Sequence, residues 1–337
     1  MEKREEILRI FPDSMRGRLE KPLERADKLE EIRLGVGRPV RFLTEGEEFF
    51  LSCRGGFGKG IQDAWFMTER EMDEIIKNVC RYSLYAFENE IRQGFLTISG
   101  GHRIGLAGQV VLNGDGSIRN MSHIRFLNVR ISHQIIGAAD EIMEFLYEGK
   151  RFCNTLLVSP PGGGKTTLLR DIVRQVSTGN LYGKGRQVGV VDERSEIAGS
   201  FMGIPQNDVG MRTDVLDGCP KIQGMMLLMR SMSPAVVAVD EIGGPEDMRA
   251  VYQVLQCGSS VLATMHGNSI EDVQRHMNIG MREQAMEHVG QVLYRPEDFF
   301  ERYVFLERKR GEGRIRAIFD QKGIRTEKKK RELLCCS

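Results

Sequence analysis

In residues 1–30, apolar side chains fall at helical intervals within a polar background (Ile7, Leu8, Ile10 and Phe11, then Leu19 and Leu23), which predicts short amphipathic helices. Residues 31–42, EIRLGVGRPVRF, change period: two short β-type runs lie around Gly35 and Gly37, and Pro39 opens the second. The glycine-rich RGGFGKG of residues 54–60 has no strand before it and no helical pattern directly after it, so it reads as a mobile hairpin loop. Thr68 with Glu71 three positions on is a capping-box signature for a helix reaching about Cys80, and another helix is expected over 85–91. Glycine then alternates with apolar residues over 94–111, and Asn113-Gly114-Asp115-Gly116 is a hairpin signal, so strands are expected at 95–98 and 102–112. FLNVRIS, residues 126–132, is a further strand, and 138–147 reads as a helix.

From residue 155 the rhythm is different. Apolar runs at 155–158, 188–191, 235–239 and 260–264 recur at the spacing of parallel strands. Those after the first end in polar or acidic residues, as expected where a site lies at the carboxyl ends of the strands. Residues 303–307 and 314–319 flank Arg310-Gly311-Glu312-Gly313, a hairpin. The first half lacks a βαβ rhythm and is an α+β pattern; the second is α/β. The expected architecture is therefore a P-loop NTPase (RecA-like) domain with a mainly parallel sheet over 138–320, preceded by a smaller α+β domain over 1–137. The remaining 321–337 form a basic tail, most simply solvated.

The stretch 154–173, NTLLVSPPGGGKTTLLRDIV, carries the first chemistry. Strand, glycine loop, Lys-Thr and helix in succession form a phosphate cradle. Its expected members are Ser159, Pro160, Pro161, Gly162, Gly163, Gly164, Lys165, Thr166 and Thr167, with Ser159 standing where the pattern calls for glycine. Glycines let successive backbone N–H groups turn toward one anion, and the helix N-terminus adds its positive end. Lys165 is expected at the β- and γ-phosphates of ATP and the Thr166 hydroxyl on Mg²⁺.

Composition narrows this picture. The 337 residues suffice for two cores, and 48 basic against 47 acidic residues give no global field for a nucleic acid. Seven cysteines without metal-ligand or CxxC spacing read as reduced, mostly buried thiols of a cytosolic protein. The charged start MEKREEILRIF is no secretory signal, and no run approaches the ~20 apolar residues of a membrane span.

Hydrolysis needs more than a cradle. In PAVVAVDEI, residues 234–242, an apolar strand delivers Asp240 to its tip, where it can hold the metal shell, and Glu241 follows as the group to orient or deprotonate water. A second acidic strand end, QVGVVDERSEI (187–197), offers Asp192 and Glu193; these either polarise water or support the metal shell, or Asp192 caps a helix or loop start while Arg194 stands in a surface ion pair. VLATMHG (261–267) ends in His266, a plausible sensor of the phosphate state. Met225, Met226, Met229 and Met232 read as core or subunit packing.

In their order, the glycine triplet with Lys165-Thr166-Thr167, then DERSE, VVAVDEIGGPED and LATMHGNS, resemble the Walker A loop, Asp box, Walker B strand and His box of type II and type IV secretion ATPases. The chain looks closer still to one branch, the stage III sporulation protein AA family of endospore formers. EIRLGVGRPV, ENEIRQGFLTISGGHRIGLAGQV and NVRIS extend that resemblance over about residues 25–320. It implies a hexameric ring ATPase, cytoplasmic and peripheral at a membrane face, that drives or gates a channel complex between mother cell and forespore through membrane protein partners. It also implies arginines from the first domain that meet the phosphates, by position Arg103 and Arg130. The chain departs from the secretion ATPases in carrying Gly243 and Gly244 where an arginine usually follows the Walker B acid, and in placing Asp240 before Glu241. Two rival readings are a nucleic-acid-dependent ATPase, against which the balanced charge argues so that no nucleic acid is expected, and a nucleotide-gated scaffold with little turnover.

Overall fold

The computed structural model describes residues 2–58, 60–81, 83, 87–276, 298–309, 312–322 and 324–325, and the chain divides into two compact units. The first comprises Met1–Gln134 together with Gly199–Asn207. Helices α1 (Glu2–Leu8) and α2 (Asp13–Leu19) supply Ile7, Met15 and Leu19 to its core. Strands β1 (Leu29–Gly35), β2 (Arg41–Thr44), β3 (Glu47–Phe50), β4 (Phe95–Thr97), β5 (Arg103–Leu112) and β6 (Ile118–Arg130) make one antiparallel sheet in the order β3-β2-β1-β6-β5-β4. Helix α3 (Glu69–Val79) starts on the expected capping box: Glu71 N–H donates to Thr68 Oγ1 (3.2 Å) and Thr68 N–H to Glu71 Oε2 (2.9 Å). Helix α4 (Glu88–Gln93) lies within the stretch expected over 85–91 and beyond it; residues 84–86 are outside the described residues. The late segment Gly199–Asn207, which the sequence assigns to the second half, joins the first unit through the Arg81 guanidinium over Phe201 and the Gly100 amide donating to Gln206.

The second unit comprises Ile135–Ala198 and Asp208–Ser337. After the two-residue ribbon β7 (Tyr147–Glu148) and β8 (Arg151–Phe152) come β9 (Thr155–Ser159), helix α5 (Lys165–Thr178), the ribbon β10 (Gly179–Asn180) and β11 (Gly183–Lys184), and β12 (Val188–Asp192). Then follow β13 (Thr213–Asp217), α6 (Lys221–Ser231), β14 (Val236–Val239), α7 (Pro245–Gln256), β15 (Ser260–His266), β16 (Arg302–Lys309) and β17 (Glu312–Asp320). The main sheet runs β13-β12-β14-β15-β9-β16-β17, parallel throughout except where β17 returns along β16. Alternate residues of its strands feed two cores: Leu157, Ala238 and Leu262 face the one that holds Leu169 and Val173 of α5, while Leu156, Val239 and Ala263 face Met225 of α6 and Val251 of α7. The fold is thus an α/β domain with a mainly parallel sheet, preceded by a smaller α+β unit.

One expected helix is absent. Residues 138–147 form turns and a 3₁₀ segment, Met143–Leu146. Gly137 adopts φ 84°, and the amides of Gly137 and Ala139 donate to the Asp171 carboxylate rather than entering a helix start. Among the described residues no helix is long and apolar enough to cross a membrane.

Candidate nucleotide site

Strand β9 ends at Ser159, five residues turn, and α5 begins at Lys165. Gly162 and Gly164 hold φ values of 70° and 84°, the left-handed region in which glycine is unstrained. Gly163 is needed for a different reason: a Cβ there would lie 2.5 Å from Ser159 Oγ. Ser159 therefore fits where the motif calls for glycine because its hydroxyl, donating to the Pro160 carbonyl at 2.7 Å, fills the space beneath Gly163. No side chain caps the first turn of α5 and no acid stands in it, which leaves the positive end of the helix to an anion.

Lys165 is buried beneath this loop, its Nζ 3.2 Å from the Ser159 carbonyl and 3.0 Å from His266 Nδ1. Burial pushes its ammonium pKa down, and the charges of Asp240 and Glu241 oppose that shift. The Thr166 hydroxyl donates to Asp240 Oδ2 at 2.9 Å, so a hydroxyl and a carboxylate from α5 and the tip of β14 meet. Hard oxygen donors in that arrangement suit Mg²⁺, which Thr166 and Asp240 would hold. Thr264, buried on β15, donates to Asp240 Oδ1 and accepts the Glu241 amide at 2.8 Å, fixing the strand tip.

Glu241 has φ 57°, a conformation unusual for a residue with a side chain. Lys221 Nζ holds its carbonyl at 2.6 Å, and its two carboxylate oxygens meet His266 Nε2 (2.8 Å) and Arg194 Nη1 (3.2 Å). Pro160, Pro161 and Thr167 complete the loop and the first turn of α5.

Asp192 takes the second of its two readings, the cap. Its carboxylate is buried and accepts amides from Glu196 (2.8 Å), Ile197 (3.0 Å) and Ala198 (2.8 Å), so it caps the turn after β12 and does not offer open oxygens to water or metal. Burial outweighs those amides and pushes its pKa up to about 6. Arg170 of α5 clamps the same turn through the carbonyls of Ile197 (2.5 Å) and Glu196 (2.7 Å). Glu193 instead pairs with Lys221 at 3.6 Å.

Arg103 and Arg130 lie in the first unit, directly opposite one another across β5 and β6. Arg103 stacks over Phe95 with its guanidinium 3.7 Å from the ring centroid, and Arg130 lies 3.5 Å from Glu31 Oε1.

The sequence reading missed Thr264 and Lys221, and took Arg194 for a surface ion-pair partner without naming Glu241 as its acid. A polar residue inside an apolar strand could have revealed Thr264; Lys221 carries no such signal. It also read residues 310–313 as a hairpin turn only, yet Gly313 packs on the loop: a Cβ there would lie 2.4 Å from the Gly163 carbonyl oxygen.

Solved structures share this architecture. The X-ray structure of the Legionella pneumophila ATPase DotB is similar with a TM-score of 0.58 and 13% identity, covering 92% of this chain and 81% of that one. The pilus retraction motor PilT with bound ADP is similar with a TM-score of 0.58 and 16% identity, over 89% of this chain and 78% of that one. This chain therefore shares the fold of those two structures. The family model for sporulation stage III, protein AA, matches residues 1–326. Stage III sporulation protein AA of Bacillus subtilis (strain 168) is 39% identical over 94% of this chain and 95% of its own. The chain belongs to the stage III sporulation protein AA family. The protein ycf45 of Porphyra purpurea is 25% identical over 80% of this chain and 41% of its own.

Proposed function

We propose that this protein is a Mg²⁺-dependent ATPase whose hydrolysis energises or gates a membrane-spanning channel complex between mother cell and forespore. The carrying observation is the convergence of Lys165, Thr166, Asp240, Glu241 and His266 at the carboxyl end of the parallel sheet. The backbone amides of residues 162–166 and the Lys165 ammonium bind the phosphates of ATP. Thr166 and Asp240 would hold Mg²⁺, which would supply Lewis-acid neutralisation of phosphate charge. Glu241 orients the attacking water and takes its proton, with His266 aligning that carboxylate. Arg103 and Arg130 belong to the same proposal as cations for the transferring phosphoryl group, carried over from the family resemblance; Glu193 is left a supporting part through Lys221.

The sporulation name of the Bacillus subtilis relative, and the fold shared with the ATPase DotB and the pilus retraction motor PilT, support this reading. A hexameric ring at the cytoplasmic face of a membrane, working with membrane proteins and not on nucleic acid, is the assembly it requires. The near-balance of 48 basic and 47 acidic residues agrees with a motor that does not track a polyanion. The test combines nucleotide binding and phosphate release for the parent chain and Lys165→Ala, with particle mass measured with and without Mg-ATP. Binding lost in the variant, turnover in the parent and a nucleotide-dependent ring are expected. Equal ATP affinity in Lys165→Ala would sink the site.

A further inference from the structure

Strand β16 pairs in parallel with β9 from Arg302 opposite Thr155 to Phe305 opposite Val158. Strand β9 then turns into the phosphate loop, while β16 continues to Lys309 and returns as β17. The end of this hairpin therefore overhangs the loop. Arg308 and Gly313 are cross-strand partners and point to the same side. On that side the preceding pair, Leu306 and Ile315, packs into the core that contains α5, which fixes the direction. Gly313 lies flat on the loop, where a Cβ would come within 2.4 Å of the Gly163 carbonyl oxygen and 3.0 Å of Gly164 Cα. Beside it the Arg308 guanidinium stands close enough that a Cβ on Gly162 would lie 3.4 Å from Nη1.

We infer that Arg308 is a nucleotide-binding residue: the terminal hairpin delivers its guanidinium, within the same chain, to the polyphosphate held by residues 162–166. The inference rests on the nucleotide-site reading above and adds a cation to it from an element outside every motif of the sequence. A surface arginine with no function would be free to extend into water. Here a glycine with no room for a side chain brings the strand onto the loop, and the partner across the ladder is an arginine whose planar fork of donors matches phosphate oxygens. No carboxylate among the described residues pairs with it. A charge-assisted contact of this kind corresponds to about a ten- to hundredfold change in affinity.

The test uses the full chain with ADP and ATP, read by calorimetry and by the nucleotide-induced rise in melting temperature. Arg308→Ala is expected to weaken both nucleotides about tenfold or more and to make binding less salt-sensitive. Arg308→Lys recovers part of the loss, since charge remains and the fork does not. Melting without nucleotide stays at the parent value in both variants, because the side chain is exposed and packs no core. A parent chain that binds nucleotide while Arg308→Ala binds equally well overturns this inference alone. A parent chain that binds neither nucleotide overturns the site reading and this inference with it.

Discussion

The imidazole of His266 stands 2.8 Å from the Glu241 carboxylate, and its other nitrogen is 3.0 Å from Lys165 Nζ. An ammonium can only donate, so Nδ1 accepts from Lys165 and the ring proton sits on Nε2, where it donates to Glu241. One ring thus ties Lys165 to Glu241. On the proposed function, a triphosphate that takes Lys165 removes the donor from Nδ1 and so changes the hold on Glu241.

Two substitutions separate binding from chemistry on this basis. Glu241→Gln keeps the shape and a hydrogen bond to His266 but cannot take a proton. Phosphate release is expected to fall by about a hundredfold or more while ATP affinity stays within about threefold of the parent. His266→Ala leaves the base present but unaligned, and a smaller fall, about tenfold, is expected. Steady-state phosphate release beside equilibrium ATP binding reads both. Undiminished turnover in Glu241→Gln would move the base elsewhere.

The serine in the phosphate loop makes a second expectation specific. A Cβ at position 163 would lie 2.5 Å from Ser159 Oγ and 2.8 Å from Ser159 Cβ, so Gly163→Ala must distort the loop. Nucleotide binding is expected to weaken about tenfold or more, in line with overpacking costs of roughly 1–3 kcal/mol. Ser159→Gly removes the obstructing atoms. The double variant should therefore recover most of the affinity, a coupling that a double-mutant cycle on ADP affinity measures. Additive losses would mean the two residues do not share that space.

Much of this site is legible from local pattern. Apolar runs locate β9, β12, β14 and β15, and each candidate acid or histidine stands at a strand end, because parallel strands buried on both faces must be apolar until they emerge. Strand β13 escapes because TDVLD is half polar, as an edge strand with partly exposed residues is. The hairpin of β16 and β17 is visible as a hairpin, but its pairing with β9 is set by chain segments far apart, so neither Gly313 nor Arg308 announces its place over the loop. Asp192 and Asp240 look alike as strand-end acids. Only the three amides that fold back on Asp192 separate a cap from a ligand.

That cap yields its own expectation. Asp192 Oδ2 accepts from Ile197 and Ala198 while Oδ1 accepts from Glu196, so Asp192→Asn sets an N–H₂ against a backbone donor in either orientation. A loss of about 1–3 kcal/mol in stability is expected. The pH dependence has a definite sign. Burial raises this carboxyl from its usual 3.8 to about 6 in the folded chain, which favours the protonated form. Its contribution is therefore largest below about pH 4 and is lost as pH rises through about 6. Calorimetric melts of parent and variant across that window should differ in slope, with the variant flatter.

His102 gives the opposite sign in the other unit. Its ring is fully buried, Nδ1 accepts the Ser132 amide at 3.0 Å, and the nearest acid to Nε2 is Glu6 at 3.5 Å. Burial, helped by the charges of Lys3 and His133, pushes its pKa down from 6.5 to about 4. The folded chain therefore favours the neutral ring, and the contribution is intact above about pH 6.5 and lost as pH falls through about 4. A shift of that size corresponds to at most about 3 kcal/mol. His102→Gln retains an acceptor for Ser132 without a titrating group and should flatten stability between those limits. The chain's one tryptophan, Trp65, is buried in the same unit, so its fluorescence during urea unfolding reports the change. Equal pH slopes in parent and variant would show that His102 titrates as it does in the unfolded chain.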